Sequence, residues 1–263
     1  MEVTDNGLVL RWANYKEAHR ILTVLTAEHG LITVKARSAS RGKSPLLGAA
    51  QLFTFSEMSL FENKGRYTLN DARVISQFPG LSARLEAAAL AAYVCEVLEC
   101  EPENISAGDM LRLALNTLYA LSEELYPDDR IKSAFELRYC LLAGYAPDLS
   151  ICGGCGCSLE KVEVIFREQG IYCPSCASGK GDVGLSPSAV MAARHILESD
   201  LKKIFSFSIP QNAQDALSIF SQEWLLASLG RGFGTLEYYH KLFRIKGKYE
   251  AYPPEPVKGG KNV

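Results

Sequence analysis

"LVLRWANYKEAHRILTVLTAEHGLITVKAR" (residues 8–37) sets the architecture of this chain, because three stretches within it alternate apolar and polar residues with the period of β-strands. Two further stretches of the same kind, "QLFTFSEMSLF" and "YTLNDARVIS", follow before residue 80. Five short strands rich in β-branched and aromatic residues, with no long helix between them, predict a small closed β-barrel. The five-stranded barrel that binds oligonucleotides is the OB-fold, which we take as the predicted N-terminal architecture.

From Leu81 onward the apolar period becomes helical. Three helices are predicted over residues 81–99, 106–125 and 128–144, and three more follow Ser186-Pro187, a pair typical of a helix start. The predicted fold class is therefore α+β and multidomain, an OB-fold barrel followed by a helical domain that contains an inserted four-cysteine zinc ribbon. The predicted units are the barrel (1–80), the first helical part (81–150), the zinc insert (151–180), the second helical part (181–245) and a flexible tail (246–263).

Composition limits the classes of protein to which the chain could belong. It has 263 residues, 48% of them hydrophobic, and a formal net charge of −2, which is ordinary for a folded soluble protein. No apolar run is long enough to span a membrane, and the first residues do not resemble a signal peptide, so we expect a cytoplasmic protein without membrane contacts. Eight cysteines in a reducing compartment are more typical of metal ligation than of disulfides.

The cysteine spacing predicts a structural zinc site. Cys152 and Cys155 form one Cys-x2-Cys pair, and Cys173 and Cys176 form a second pair after seventeen intervening residues. Four thiolates would fill the tetrahedral coordination of Zn²⁺ and leave no position for a reacting water, so this zinc would stabilise the fold without catalysing a reaction. Cys157 lies in the same turn and could compete with Cys155 for the ion.

A basic segment without acidic residues predicts a contact with phosphate. No Asp or Glu occurs between Glu28 and Glu57, where four cations cluster: Lys35, Arg37, Arg41 and Lys43. The tripeptide Gly42-Lys43-Ser44 does not form a nucleotide-binding loop, because that loop needs a glycine at the position held by Arg37. The alternatives that stay open are a solvated loop and a surface that pairs with a nucleic-acid backbone.

Other barrel residues could extend such a surface. Arg11, Lys16 and Arg20 lie on or beside the first predicted hairpin, and Trp12 or Tyr15 could stack on a base, although Trp12 also has the spacing of a core residue. No arrangement of carboxylates, or of serine, histidine and aspartate, indicates an active site, and the histidines lack the spacing of a zinc deaminase. We therefore expect a binding protein and not an enzyme.

The order of these features resembles the bacterial RecO family of recombination mediators. The resemblance covers about residues 3–243, and its most specific part is "FELRYCLLAGYAPDLSICGGCG", which joins a helix directly to the first cysteine pair. It implies a DNA repair protein of the RecF pathway that binds single- and double-stranded DNA and anneals complementary strands. It also implies that the protein, with RecR, helps to load RecA onto DNA covered by single-stranded DNA-binding protein, whose C-terminal tail the helical region would contact.

By this resemblance the protein would be bacterial, cytoplasmic and associated with the nucleoid, with structural zinc as its cofactor. The basic segment and the two cysteine pairs fall at the family's DNA-binding and metal-binding positions. A second interpretation is a zinc-ribbon adaptor that binds RNA or acts in transcription, for which the same barrel and ribbon would serve. A preference for RNA over DNA would favour that alternative.

Overall fold

The N-terminal part of the chain is a closed five-stranded barrel. The computed structural model describes residues 1–100, 106–160, 162–167, 170–177 and 183–245. Neighbouring strands follow the order β1-β2-β3-β5-β4, and all pairs are antiparallel except β3 and β5. This is the OB-type barrel that the sequence predicts. Its strands are β1 (Glu2–Tyr15), β2 (His19–Thr26), β3 (Gly30–Ala36), β4 (Phe55–Asn63) and β5 (Arg66–Ser76).

The barrel closes around its own apolar core because alternate residues of each strand point inward. Leu22 and Val24 of β2 and Val34 of β3 are fully buried there, together with Met58 and Leu60 of β4. The residues that alternate with them point out of the barrel, where some are exposed to solvent and others pack against the helices.

Seven helices follow the barrel in the described part of the chain. The predicted helix from Leu81 is in fact two, because Arg84 adopts an extended conformation (φ −127°, ψ 126°) between them. The Arg84 guanidinium donates to Asp128 at 2.8 Å, a long-range contact that sequence periodicity does not report. The helices are α1 (Gly80–Ala83), α2 (Leu85–Leu98), α3 (Ala107–Ser122), α4 (Asp128–Leu142), α5 (Pro187–Glu198), α6 (Gln211–Leu229) and α7 (Gly234–Ile245).

Capping residues fix several helix ends where the sequence predicts them. The side chains of Ser106 and Ser186 accept hydrogen bonds from backbone N–H groups at the start of α3 and α5, as N-cap residues do. Pro187 occupies the first turn of α5, where its missing N–H costs nothing. Gly230 ends α6 in the left-handed conformation (φ 63°), which glycine adopts without a steric penalty.

The barrel and the helices share a core. Helix α2 packs against β1, and α3 packs against β2 and β3. Leu8, Leu10 and Leu25 of the barrel are buried in the same apolar cluster as the helices. None of the described helices is long and apolar enough to cross a membrane.

A small ribbon lies between α4 and α5. Its strands β6 (Val164–Arg167), β7 (Gly170–Tyr172) and β8 (Val183–Leu185) form an antiparallel sheet in the order β7-β6-β8. β6 and β7 form a hairpin, and β8 pairs with the other edge of β6. Phe166 of β6 packs against Phe220 and Trp224 of α6, with ring centroids 5.2 Å and 5.8 Å apart, so the ribbon is docked on the helical domain. The predicted tail, residues 246–263, lies outside the described residues.

Candidate nucleic-acid interface and metal centre

The basic segment forms a loop that is fixed at both ends. Residues 37–54 connect β3 to β4 through successive turns and form no helix, as predicted. At its start, the Ser38 N–H donates to His19 Nδ1 at 2.9 Å and the Ser40 N–H donates to the Ala18 carbonyl at 3.2 Å. These bonds hold the first residues of the loop against the turn between β1 and β2.

The loop presents cations to solvent. Arg37, Arg41 and Lys43 are exposed, and Lys35 is half-buried on the outer side of β3. Within the described ranges, none of these four side chains forms a salt bridge with Asp or Glu. Their charge is therefore available to an external anion, with no internal ion pair to break.

An aromatic ring lies beside these cations. Tyr15, at the end of β1, is 41% exposed, and its ring centroid lies 5.6 Å from Lys16 Nζ and 5.3 Å from Lys35 Nζ. An exposed ring between ammonium groups can stack on a base while the cations pair with the flanking phosphates. The geometry thus combines the two features of a sequence-independent site for single strands.

Arg20 has a different role from the one that the sequence suggests. Its side chain is buried, and Nη1 donates to the Ala50 carbonyl at 2.8 Å near the far end of the basic loop. Its guanidinium carbon lies 4.0 Å from the centroid of the Trp12 ring. Arg20 therefore anchors the loop and is not displayed to a ligand, and Trp12 lies beneath it, packed against the barrel core.

Arg11 lies where the barrel meets the helices. Its Nε atom donates to Glu99, the C-cap residue of α2, at 2.9 Å, and the side chain lines a cavity together with residues of α2, the start of α7 and Leu52 near the end of the loop. Because a carboxylate already neutralises this guanidinium, Arg11 is less available to phosphate than the loop residues are.

The five basic side chains between positions 81 and 150 all contact other groups of the protein. Arg84 pairs with Asp128, and Arg112 pairs with Asp109. Arg130 lies between the rings of Tyr126 and Phe207, at 5.7 Å and 5.3 Å. The other two engaged residues are Lys132, which pairs with a glutamate, and Arg138, which donates to backbone carbonyls.

Four cysteine sulfurs of the ribbon are close enough to share one metal ion. The Sγ atoms of Cys152, Cys155, Cys157 and Cys173 all lie within 4.8 Å of one another. Cys155 Sγ and Cys173 Sγ are 3.8 Å apart. A tetrahedron with metal–sulfur bonds of about 2.3 Å has edges of about 3.8 Å, so this separation fits a four-thiolate site.

This cluster differs from the predicted one at a single position. The two Cys-x2-Cys pairs predict Cys176 as the fourth ligand, whereas the structure groups Cys157 with the other three thiols. Cys176 nevertheless lies near them, since it forms hydrogen bonds with the thiols of Cys155 and Cys173, and these bonds raise the pKa of Cys176 to about 12. Five thiols therefore surround one site.

The backbone of the first turn stabilises a thiolate. The N–H groups of Cys173 and Gly154 donate to Cys152 Sγ at 3.3 Å and 3.4 Å. Such donors, the Cys173 N–H first among them, lower the pKa of Cys152 to about 6. A metal ligand must be deprotonated, so these bonds prepare Cys152 for the ion.

Helix α5 holds the turn that carries the first cysteine pair. Arg194 Nη2 donates to the carbonyls of Leu149 and Leu159, at 2.8 Å and 3.4 Å, on the two sides of the first cysteine pair. Sequence reasoning missed this residue, since a helical arginine with carbonyl partners leaves no spacing signal.

The fold thus combines an OB-type barrel, which carries an exposed basic loop, with a helical domain that contains an inserted ribbon with a cysteine cluster. Comparison with known proteins gives the family. Residues 1–78 match the family described as Recombination protein O N terminal, and residues 82–237 match Recombination protein O C terminal. The chain belongs to the RecO family, as its sequence features predict.

Curated relatives match over most of their length. The DNA repair protein RecO of Acetivibrio thermocellus is 33% identical over 244 residues, which are 92% of this chain and 97% of that protein. The RecO of Dehalococcoides mccartyi is 31% identical over 216 residues, covering 81% of this chain and 85% of the relative. The RecO of Caldicellulosiruptor saccharolyticus is 27% identical over 242 residues, which are 90% of this chain and 97% of that relative.

Proposed function

We propose that this protein is a DNA repair and recombination mediator. It binds single- and double-stranded DNA, anneals complementary strands and, with RecR, helps to load RecA onto DNA covered by single-stranded DNA-binding protein. Membership of the RecO family and the name of the relatives, DNA repair protein, support this role. The proposed action is binding without catalysis, in the bacterial cytoplasm near the nucleoid.

The observation that carries the proposal is the basic loop beside Tyr15, whose cations form no salt bridge within the part of the chain that the structure describes. Annealing requires two polyanions to approach each other, and cations that neutralise phosphates lower their repulsion. Contacts to phosphate carry no sequence information, which suits a protein that must anneal any pair of complementary strands. The fixed ends of the loop keep Arg37, Arg41 and Lys43 on one side of the barrel.

The ribbon has a structural part in this proposal. Four thiolates at tetrahedral spacing select Zn²⁺ among common cellular ions and leave it no open position, so the ion would hold the turns of the ribbon together. The proposed protein contacts are RecR at the barrel and the tail of single-stranded DNA-binding protein at the helical domain.

The proposal is tested by annealing. Complementary oligonucleotides, bare or covered with single-stranded DNA-binding protein, are mixed with the protein, and duplex formation is followed by fluorescence. The variant with Arg37→Glu, Arg41→Glu and Lys43→Glu should lose annealing of bare strands while its circular dichroism and zinc content stay unchanged. Each phosphate contact contributes about −0.7 to the slope of log K against log salt for single strands, so losing three contacts should reduce that slope by about 2.

A matched control carries the same change in charge elsewhere. Lys202, Lys203 and Lys241 are exposed on the helical domain, and their replacement by glutamate should leave annealing of bare strands within about twofold, since only screened long-range charge is altered. Equal loss in both triple variants would refute a directed loop contact. Tighter binding of RNA than of DNA of equal length would favour the RNA-adaptor alternative, and turnover of ATP would contradict a non-enzymatic role.

A further inference from the structure

The ribbon holds one more thiol than a tetrahedral ion can bind. Cys152 and Cys173 are buried at the base of the cluster, 2% and 8% exposed. Cys155 and Cys157 are exposed, and Cys176 is half-buried, so three thiols stand on the solvent side. Cys155 Sγ lies 3.8 Å from Cys173 Sγ, the edge of a four-thiolate tetrahedron, so Cys157 and Cys176 compete for the one remaining position.

The first turn brings Cys157 into bonding range. Gly156 adopts the left-handed conformation (φ 71°), and its N–H donates to the Cys152 carbonyl at 2.9 Å, while the Cys152 N–H donates to the Cys157 carbonyl at 2.8 Å. This double closure folds the chain back on itself, so Cys157 Sγ comes within 4.8 Å of the thiols of Cys152, Cys155 and Cys173. A residue with a Cβ at position 156 would be strained in this conformation.

The second turn keeps Cys176 at the opposite side of the same cluster. The N–H groups of Cys176 and Ala177 both donate to the Cys173 carbonyl at 3.0 Å, which fixes the turn that carries the Cys176 thiol. An added Cβ on Gly154 would lie 3.1 Å from Cys176 Sγ, so this sulfur rests directly on the first turn. Cys176 Sγ nevertheless lies outside the group of four sulfurs that are all within 4.8 Å of one another.

We propose that Cys157 and Cys176 are interchangeable fourth ligands of one metal ion, with Cys152, Cys155 and Cys173 as its constant ligands. The inference rests on the proposed zinc site and not on DNA binding. In the exchange, the incoming thiol loses its proton and forms a sulfur–metal bond, while the outgoing thiolate breaks its bond and takes up a proton. No electron is transferred, and Zn²⁺ can pass through five-coordination during such a step.

Exchange of the fourth ligand is favoured by the high local concentration of the spare thiol. It is tethered to the same two turns as the ligand that it replaces, so rebinding is intramolecular and does not depend on a free thiol in solution. Loss of either alternative ligand should therefore cost the metal site little, whereas loss of both should leave three thiolates and an open position.

The test uses the full-length protein and five cysteine variants, two of which are controls. Zinc stoichiometry is measured after gel filtration, and Co²⁺ substitution reports the ligand set through its thiolate-to-metal charge-transfer band. Cys157→Ser and Cys176→Ser should each keep one zinc per chain and the four-thiolate cobalt spectrum, with affinity lowered less than about tenfold. The double variant should lose more than about a hundredfold in affinity, because one first-shell ligand then has no replacement.

Two controls bracket these results. Cys155→Ser, which removes a constant ligand, should behave like the double variant, and Cys100→Ser, which lies outside the ribbon, should behave like the wild type. If Cys176→Ser alone abolishes the four-thiolate spectrum while Cys157→Ser does not, the ligand set is fixed as the two Cys-x2-Cys pairs and the exchange is refuted. The opposite result fixes Cys157 and refutes it equally.

A second measurement needs no variant. Zinc-loaded wild-type protein is treated with one equivalent of a maleimide, and the modified cysteine of the ribbon is identified by mass spectrometry. Exchange predicts that the label divides between Cys157 and Cys176 without loss of zinc, whereas a label on one of them alone means a fixed set. A wild-type protein that binds no metal would remove the zinc site itself and leave the annealing proposal to its own test.

Discussion

The buried ion pair in the centre of the helical domain gives the sharpest prediction about stability. Lys132 and Glu136 lie one turn apart on α4, 2% and 0% exposed, with Nζ and Oε1 2.9 Å apart. The same carboxylate accepts hydrogen bonds from the Tyr93 hydroxyl of α2 at 2.8 Å and from the Ser221 hydroxyl of α6 at 2.6 Å. One carboxylate thus connects three helices.

Removing one partner leaves the other charge buried and uncompensated. We expect Lys132→Met to lower the free energy of unfolding by about 3–5 kcal/mol, because the two hydroxyl donors cannot replace an ammonium. Glu136→Gln should cost less, since burial already lowers the pKa of Lys132 and makes loss of its proton easier. The double variant should be more stable than Lys132→Met alone, because it holds no buried charge and its amide can still accept from Tyr93 or Ser221.

The assay is urea unfolding at pH 7, followed by far-ultraviolet circular dichroism, with the four proteins arranged as a double-mutant cycle. The control is Glu237→Gln, an exposed position on α7, where a change within about 0.5 kcal/mol is expected. A loss below about 1 kcal/mol for Lys132→Met would refute the reasoning, because it would mean that water or another cation compensates the carboxylate. Additive costs in the double variant would show that the two side chains are not coupled.

Three further predictions concern the barrel and the helix ends. Burial raises the pKa of Asp5, but hydrogen bonds from His29 and from backbone N–H groups outweigh this effect and hold the pKa below its usual value. The stabilisation of the wild type relative to Asp5→Asn should therefore be complete above about pH 5 and should decrease as the pH falls below about 4. Urea unfolding across that pH range measures this difference. Gly80→Ala should destabilise by at least about 1–3 kcal/mol in thermal unfolding, because its Cβ would lie 1.9 Å from a backbone oxygen, whereas Gly42→Ala, with nothing within 4 Å, should be nearly neutral. Arg138→Met should cost about 1–3 kcal/mol and speed amide exchange in α5, because Nη1 donates to two carbonyls near the end of that helix at 2.7 Å and 3.1 Å; unchanged exchange would contradict this.

Local signals in the sequence predicted much of the fold. The five strands follow from alternation, and the helix starts at Ser106 and Ser186 follow from capping chemistry that depends on a few neighbouring residues. The break at Arg84 was missed because alanine-rich helix propensity continues through it, and the ion pair that Arg84 forms there is with Asp128, 44 positions away. Contacts of that range leave no periodic trace in the sequence.

The candidate site, like the fold, was predicted from the sequence only in part. Arg20 was predicted to face DNA, yet it is in phase with Leu22 and Val24, whose side chains point into the barrel. Period-two alternation was therefore a usable signal that Arg20 points inward. For the metal site, the spacing of the cysteines alone favours two Cys-x2-Cys pairs. The position of Cys157 depends on the left-handed conformation of Gly156, and the Cys-x2-Cys pattern carries no information about that conformation.

Under the proposed function, a protein with a net charge of −2 must bind a polyanion at one place, and the distribution of its charged side chains is suited to this. Residues 81–150 contain 12 acidic and 5 basic side chains, and the five bases are already engaged with acids, rings or carbonyls inside the protein. This part of the helical domain should therefore repel a DNA backbone, and the basic loop should attract it, since Arg37, Arg41 and Lys43 form no salt bridge with any described residue. Under the proposed function, this separation directs DNA to the barrel and leaves the helical surface open to protein partners while strands are annealed.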